Sequence, residues 1–170
     1  FTPQPAIHRA VMQAADMPVF TGVGGGVTRG MRVVNLANDA EHEGAFGVVV
    51  NAPTDNEVVG MLKRVLDIPV VVTVVSDKTD VAARIEAGAD ILNVSGAQHT
   101  PAIVGSIRER FPDVPIIATG GPTEETILET IRAGANAITY TPPSNGELFA
   151  QSMARYRREL DGQDLGRDQE

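Results

Sequence analysis

The amino-acid sequence predicts an α/β domain in which six strand–helix units follow one another and all strands lie parallel. Short β-branched runs alternate with segments that carry apolar residues at helical spacing, and no hairpin turn joins them. The pattern also repeats, because a proline opens each odd-numbered strand and a Gly-Ala pair precedes each even-numbered one. The prolines are Pro18, Pro69 and Pro115, and the pairs are Gly44-Ala45, Gly88-Ala89 and Gly134-Ala135. The period of roughly 45 residues predicts three strand–helix–strand–helix modules.

Each predicted strand is an apolar run bounded by Gly, Pro or polar residues, and these runs cover 18–21, 45–51, 68–75, 90–95, 114–117 and 136–141. A lead-in helix over 1–15 is expected to cover one end of the sheet, and a second helix covers 28–43. Capping boxes, Thr54-x-x-Glu57 and Ser144-x-x-Glu147, predict the starts of the helices after the second and sixth strands. The remaining helices are expected through 81–85, from 100 and from 122.

The stretch 114–135 shows the repeating unit most clearly. A β-branched strand stops at Thr119-Gly120-Gly121, and a helix begins near Pro122 and ends at Gly134. A strand, a helix and a further strand form a parallel pair with a right-handed crossover. Six strands are fewer than the eight of a (β/α)8 barrel. We therefore predict a TIM-barrel-like sheet that forms a short or incomplete barrel, with a doubly wound open sheet as the alternative.

Composition limits the classes of function. At 170 residues the chain is assigned to a single domain over 1–160, followed by an acidic tail, 161–170, that is predicted to be disordered. The absence of Cys excludes disulfides and thiolate chemistry. A formal net charge of −8 disfavours nucleic-acid binding. No apolar run approaches the length of a membrane span, and nothing resembles a signal peptide, so a cytoplasmic protein without membrane partners is expected.

The carboxyl ends of parallel strands are where βα folds place function. Here these ends carry glycines and neutral hydrogen-bonding residues, with few ionisable groups. A metal site would need two or three Asp, Glu or His, and only Asp77 and His99 are near enough. A lysine Schiff base is disfavoured because Lys63 lies in a helix and Lys78 lies just past a strand. Neither a metal nor a Schiff base is therefore predicted.

Gly120-Gly121 is the first candidate binding element. Backbone amides at the start of a helix can hold an anion, and paired glycines allow a close approach. Thr119 adds a hydroxyl, so Thr119, Gly120 and Gly121 are predicted to hold a phosphate. The alternative is a tight structural turn. Glu124 and Glu125 in the first turn of the helix weigh against an anion unless they point outward.

A second candidate is Gly24-Gly25-Gly26 after the first strand, because a structural turn needs only one glycine. Arg29 follows within reach of an anion bound there, and a flexible connection is the alternative. The remaining substrate-binding candidates are polar residues at strand ends: Asn51, Asn93, Ser95 and Thr141. The two asparagines are of a type that orients a carbonyl or hydroxyl group.

His99 and Asp77 are the candidate proton carriers. A histidine titrates near neutral pH, which suits proton transfer. Each has a simpler interpretation, since a loop histidine is often only solvated and Asp77 is placed where it can cap the next helix.

Three segments carry a resemblance to known proteins: Ala-Gly-Ala-Asp-Ile-Leu-Asn-Val (87–94), Ile-Ile-Ala-Thr-Gly-Gly (116–121) and Ala-Gly-Ala-Asn-Ala-Ile (133–138). Together they resemble the phosphate-binding TIM-barrel superfamily, which includes the ribulose-phosphate-binding barrels and the flavin-dependent nitronate monooxygenase group. In those families a Gly-Gly turn binds the phosphate of substrate or FMN, which the resemblance places on Gly120 and Gly121. The usual Gly-Ser after the last strand is replaced here by 141–144, Thr-Pro-Pro-Ser, and prolines donate no amides.

Three hypotheses follow from the sequence. The first is an isomerase- or lyase-type enzyme that acts on a small phosphorylated metabolite and needs no cofactor. The second is an FMN-dependent oxidoreductase that uses the same turn for the flavin phosphate. The third is a non-catalytic metabolite-binding barrel. Because a six-stranded sheet leaves exposed edges, a homo-oligomer is expected in each case.

Overall fold

The computed structural model describes residues 2–141 and 144–167, and the chain divides into two compact units, Phe1–Thr139 and Tyr140–Glu170. The first unit holds the whole sheet and the helices α1 to α6. The second holds one helix, α7 (Asn145–Arg167). None of the helices in the described part of the chain has the length and apolar character needed to cross a membrane. Both the single domain over 1–160 and the disordered tail over 161–170 stay predictions.

Six parallel strands form one sheet in the first unit, in the order β1-β2-β3-β4-β5-β6. They are β1 (Phe20–Gly24), β2 (Gly47–Val50), β3 (Val70–Val74), β4 (Ile91–Val94), β5 (Ile116–Thr119) and β6 (Ala137–Thr139). Each strand pairs in parallel with the next one along the chain. The sheet curls into a half-barrel and does not reverse its order, which excludes the doubly wound alternative. The predicted incomplete barrel is confirmed.

Helices alternate with the strands as the sequence predicts. They are α1 (Pro5–Ala14), α2 (Met31–His42), α3 (Asn56–Val65), α4 (Val81–Glu86), α5 (Thr100–Arg110) and α6 (Glu124–Arg132). A single 3₁₀ turn, Ala97–His99, precedes α5. The predicted helix-ending glycines Gly44, Gly88 and Gly134 have φ of 94°, 112° and 110°, a left-handed conformation that glycine adopts at little cost.

The hydrophobic core lies between the sheet and the helices. Alternate strand residues face it because successive side chains point to opposite faces of a sheet. They are Val23, Val48, Val50, Val70, Val72, Val74, Leu92, Val94, Ile116 and Ala118. Burying each valine stabilises the fold by roughly 1.5–3 kcal/mol. The intervening residues, such as Thr73 and Asn93, face the concave side of the half-barrel.

The Ala-Gly-Ala segments close the amino-terminal end of the sheet. Asp90 accepts the amide of Val70 at 2.9 Å, and in the next repeat Asn136 accepts the amide of Ile116 at 2.9 Å. A Cβ on Gly88 would lie 2.8 Å from Lys63, and one on Gly134 would lie 2.9 Å from Arg108. A basic side chain therefore crosses over each glycine, so these motifs have a structural role.

Helix α1 contacts the first strand of the sheet. His8 is 6% exposed, and its Nε2 donates to the carbonyl of Gly22 in β1 at 3.2 Å. Arg9 forms an exposed ion pair with Glu43, which raises the pKa of Arg9 through its hydrogen bond and its charge. The lead-in helix therefore packs mainly against α2 and reaches β1, an outer strand of the sheet, through the His8 side chain.

Three helix starts test the capping predictions. Ser144 and Glu147 form the predicted box at α7, and the Ser144 hydroxyl lowers the pKa of Glu147. The box predicted at Thr54 is wrong, because α3 begins one residue later with Asp55 as its N-cap. Thr54 is instead 4% exposed, and its Oγ1 is buried with no hydrogen-bond partner among the described residues. At α6 a box that the sequence did not predict joins Thr123 to Thr126.

Candidate functional site

A row of polar side chains crosses the concave face at the carboxyl ends of the central strands. Asn93 Nδ2 donates to Thr73 Oγ1 at 3.2 Å, and Thr119 Oγ1 donates to Ser95 Oγ at 3.2 Å. Thr139 of β6 pairs in register with Thr119. The fold thus brings the candidates Asn93, Ser95 and Thr119 onto one surface, where they can bind a polar ligand.

The Thr119–Gly121 turn lines a cavity of about 420 Å³, here called the turn cavity, between the amino ends of α5 and α6. Small-molecule sites in proteins have volumes of this order. The lining residues are Ala97, Gln98, Thr100, Pro101, Thr119, Gly120, Gly121, Pro122, Thr126, Glu129 and Thr130. The predicted phosphate-binding residues therefore face a space that can admit a ligand.

The two glycines of this turn differ. Gly120 is buried, and its amide donates to the carbonyl of Thr139 at 3.1 Å. A Cβ there would lie 2.6 Å from Ile138 and 2.7 Å from Ile127. Gly121 is exposed with φ of 77°, and its amide has no hydrogen-bond partner among the described residues. Only Gly121 offers a backbone donor, so Gly120 contributes by close packing.

A strained loop forms the opposite side of the turn cavity. Ala97 has φ of 51°, a left-handed conformation that residues with a Cβ rarely adopt. The amide of the preceding Gly96 donates to Thr100 Oγ1 at 3.0 Å, which fixes the loop to the start of α5. Backbone strain of this kind is concentrated at functional sites. No pattern in the local sequence predicts this conformation.

His99 and Asp77 line a second cavity of about 390 Å³, here called the acid–base cavity. Both side chains are exposed, and Ser76 donates to Asp77 at 3.2 Å. Ser76 and Ser106 also line this cavity, and the sequence analysis assigned no role to either. The 3₁₀ turn Ala97–His99 separates the two cavities, since Ala97 and Gln98 line the turn cavity while His99 lines the other. The structure therefore places the two candidate proton carriers in one cavity, which is not the cavity of the glycine turn.

The first glycine loop forms a third, smaller cavity of about 160 Å³ that includes Gly24, Gly26 and Asn51. Gly25 does not line it, because Gly25 is buried against Thr54 with φ of 96°. Arg29 is exposed and its Nε donates to the carbonyl of Gly26 at 2.8 Å, so the guanidinium braces the loop. The sequence predicts the same role for all three glycines, whereas only Gly24 and Gly26 line this cavity.

One binding candidate from the sequence, Thr141, belongs to the second unit. It is therefore not part of the site in the first unit. Among the side chains that the structure describes, which end at residue 159, no three His, Asp or Glu come close enough together to hold a metal ion. Glu129 and Thr130 line the turn cavity from the middle of α6, where nothing in the local sequence singles them out.

Sequence comparison finds partial relatives. No family model matches the chain. An inosine-5'-monophosphate dehydrogenase of Halalkalibacterium halodurans is 41% identical over 70 residues, which is 38% of this chain and 14% of that protein. Another, from Chlorobaculum parvum, is 36% identical over 64 residues, or 35% of this chain and 13% of that protein. The chain thus matches only about one seventh of the length of these curated relatives.

Solved structures resemble the chain over most of its length. Mandelate oxidase with benzoyl-formic acid has a TM-score of 0.66 at 17% identity and covers 78% of this chain and 51% of that one. A 2,3-dimethylmalate lyase of the PEP mutase/isocitrate lyase superfamily has a TM-score of 0.63 at 15% identity, and the match covers 96% of this chain and 65% of that one. Phosphonopyruvate hydrolase in complex with oxalate and Mg²⁺ has a TM-score of 0.62 at 19% identity, and the match covers 93% of this chain and 66% of that one. These proteins are TIM barrels, and at these identities the likeness establishes the barrel fold alone.

Proposed function

We propose that this protein is an enzyme of the isomerase or lyase type that acts on a small phosphorylated metabolite in the turn cavity. The observation that carries the proposal is that Gly121, whose amide has no hydrogen-bond partner among the described residues, lines a cavity of about 420 Å³ together with Thr119. Two of the similar structures are described as a lyase and as a phosphonopyruvate hydrolase, which supports this class of substrate.

The phosphate would be held by neutral donors. Gly121 offers its amide, and Thr119 offers a hydroxyl that now donates to Ser95, a neighbour that does not line the cavity. Hydrogen bonds to an ionised oxygen are about twice as strong as neutral ones, so a few such donors suffice for a small anion. No Lys or Arg lines the cavity, and Glu129 does. We therefore expect weak binding that depends strongly on each donor.

The first test removes one donor. Thr119→Val keeps the shape of the side chain and deletes the hydroxyl, so the dissociation constant for phenyl phosphate should rise about tenfold. Isothermal titration calorimetry measures this change. Thr73→Val deletes a hydroxyl in the same row that does not line the cavity, and it should leave the affinity unchanged. Equal affinities of wild type and Thr119→Val would show that the phosphate does not bind at this turn.

The proton carriers would act from the adjacent cavity. A ligand held at Gly121 would have to reach His99 and Asp77 across the Ala97–His99 turn, in which Ala97 and Gln98 line one cavity and His99 the other. General acid–base catalysis typically contributes a factor of 10² to 10⁴. With a substrate in hand, His99→Gln should lower kcat/KM about a hundredfold while leaving ligand affinity within twofold. A variant with unchanged turnover would show that His99 is only a solvated loop residue.

Two alternatives make different predictions. An FMN-dependent oxidoreductase is supported by the likeness to mandelate oxidase, and it predicts that the purified protein carries flavin absorbance. A non-catalytic metabolite-binding barrel is supported by the separation of His99 and Asp77 from the glycine turn. It predicts thermal stabilisation by ligand without turnover. In each case we propose a homo-oligomer, which light scattering checks.

A further inference from the structure

We propose that the ligand of the turn cavity has an apolar body and a single anionic head group, and that it is not a polyhydroxylated sugar phosphate. The inference rests on the proposed function, because the head group is the phosphate assigned to Gly121 and Thr119. The nature of the body follows from the rest of the lining.

Apart from Thr119, the residues with a hydroxyl group that line the cavity each already form a hydrogen bond within the protein. Thr126 Oγ1 donates to the carbonyl of Thr123 at 2.8 Å, and Thr130 Oγ1 donates to the carbonyl of Thr126 at 2.8 Å. Thr100 is 1% exposed, and its Oγ1 accepts the amide of Gly96. Because these hydroxyls already have partners inside the protein, a ligand hydroxyl that enters this space gains little in return for the water it loses, which is unfavourable.

The rest of the inner lining of the cavity is mostly apolar. Pro101 and Pro122 have no backbone amide to donate, and Ala97 has no polar side-chain atom. Gly120 is buried, and its backbone lies close to the apolar side chains of Ile127 and Ile138. A methyl or methylene group in this space would be removed from water and would meet apolar atoms, which is favourable by the hydrophobic effect.

Two polar side chains, Glu129 and Gln98, do line the cavity, and both are exposed to solvent. A ligand hydroxyl that bonds to either one replaces a water molecule, so the net gain is small. Glu129 also carries a negative charge that disfavours a second anionic group on the ligand. The cavity thus distinguishes the two ends of its ligand: one anionic group at the turn, and carbon elsewhere.

The experiment compares two esters of the same charge and shape. In 2-methylbutyl phosphate the two hydroxyl oxygens of glycerol 3-phosphate are replaced by carbon. Calorimetry at pH 8 should show the alkyl ester binding at least tenfold more tightly, roughly the effect of desolvating one unpaired hydroxyl. Equal affinities, or a preference for glycerol 3-phosphate, would overturn the inference.

A third compound, 2-methylbutanol, separates this inference from the proposed function. If it binds as tightly as its phosphate ester, the result supports the inferred apolar body of the ligand and contradicts the phosphate site at Gly121. If the phosphate ester binds far more tightly than the alcohol but no better than glycerol 3-phosphate, the phosphate site stands and the apolar body fails. If none of the three compounds binds, both fail.

A pair of matched variants assigns the preference to this cavity. Pro101→Ser replaces an apolar ring in the lining with a hydroxyl, and it should reduce the preference for the alkyl ester about threefold. Pro112→Ser makes the same change beyond the other end of α5, and it should leave the preference unchanged. Circular dichroism verifies that both variants fold. An unaltered preference in a folded Pro101→Ser variant would place the alkyl group elsewhere.

Discussion

Replacing Gly25 with alanine is expected to lower the free energy of unfolding by about 4 kcal/mol. The ideal Cβ would lie 1.9 Å from Thr54 Oγ1 and about 3 Å from the backbone nitrogen and oxygen of Asn51. Gly25 also has φ of 96°, where an L side chain is strained. Strain of 1–3 kcal/mol and overpacking of 1–3 kcal/mol add to a loss of about this size. Urea denaturation followed by circular dichroism measures it.

Gly26→Ala is the matched control in the same loop. Its added Cβ would meet nothing nearer than Asn51 Nδ2 at 3.7 Å, so a loss below about 1 kcal/mol is expected. Adding Thr54→Ala to Gly25→Ala removes the hydroxyl overlap but leaves the backbone strain, and it should recover part of the lost stability. A Gly25→Ala variant as stable as Gly26→Ala would show that the loop adopts another conformation.

Arg108→Met is expected to lower the free energy of unfolding by about 3 kcal/mol. The half-buried guanidinium donates to the carbonyls of Gly134 at 2.8 Å and Val114 at 2.9 Å, and to Asn136 Oδ1 at 2.8 Å. Methionine keeps most of the aliphatic stem but leaves these partly buried acceptors without their donor. Each lost charge-assisted bond is worth about 1.5–3 kcal/mol before solvent recovers part of it. Thermal and urea unfolding measure the loss.

Lys63→Met provides the comparison, because Lys63 occupies the corresponding position one repeat earlier. Its ammonium makes one exposed ion pair with Asp90, at 2.6 Å, and exposed pairs contribute about 0–1 kcal/mol. The two substitutions therefore remove a cation from equivalent positions with different expected losses. Similar losses in both variants would show that the Arg108 network contributes no more than a surface ion pair.

The division of candidate residues between two cavities bears directly on mechanism. The proposed reaction needs the glycine turn to hold the phosphate and His99 and Asp77 to carry protons, and the Ala97–His99 turn lies between their two cavities. A ligand must therefore extend across that turn, or the turn must shift. Ala97, which has φ of 51° in that turn, is a feature that the sequence did not suggest.

The sequence by itself determined the repeating units, the parallel sheet and the helix-ending glycines. These features depend on residues close together in the chain: β-branched runs, helical spacing, and a glycine such as Gly134 where the helix must turn left-handed. The sequence also identified the stretch 119–121 as a glycine turn between a strand and a helix, whereas the cavity that this turn lines became visible only in the structure. It mispredicted the start of α3, because a capping box at Thr54 satisfies local rules equally well.

Only the tertiary structure decided which groups in the turns are free. The amide of Gly120 is taken by Thr139 of the neighbouring strand, and the hydroxyl of Thr54 lies against Gly25 of another loop. Both outcomes depend on atoms that lie about 20 to 30 residues apart in the chain and meet only when the sheet forms. A local pattern can place a donor at a strand end, but the curl of the sheet determines whether that donor faces a neighbour or a ligand.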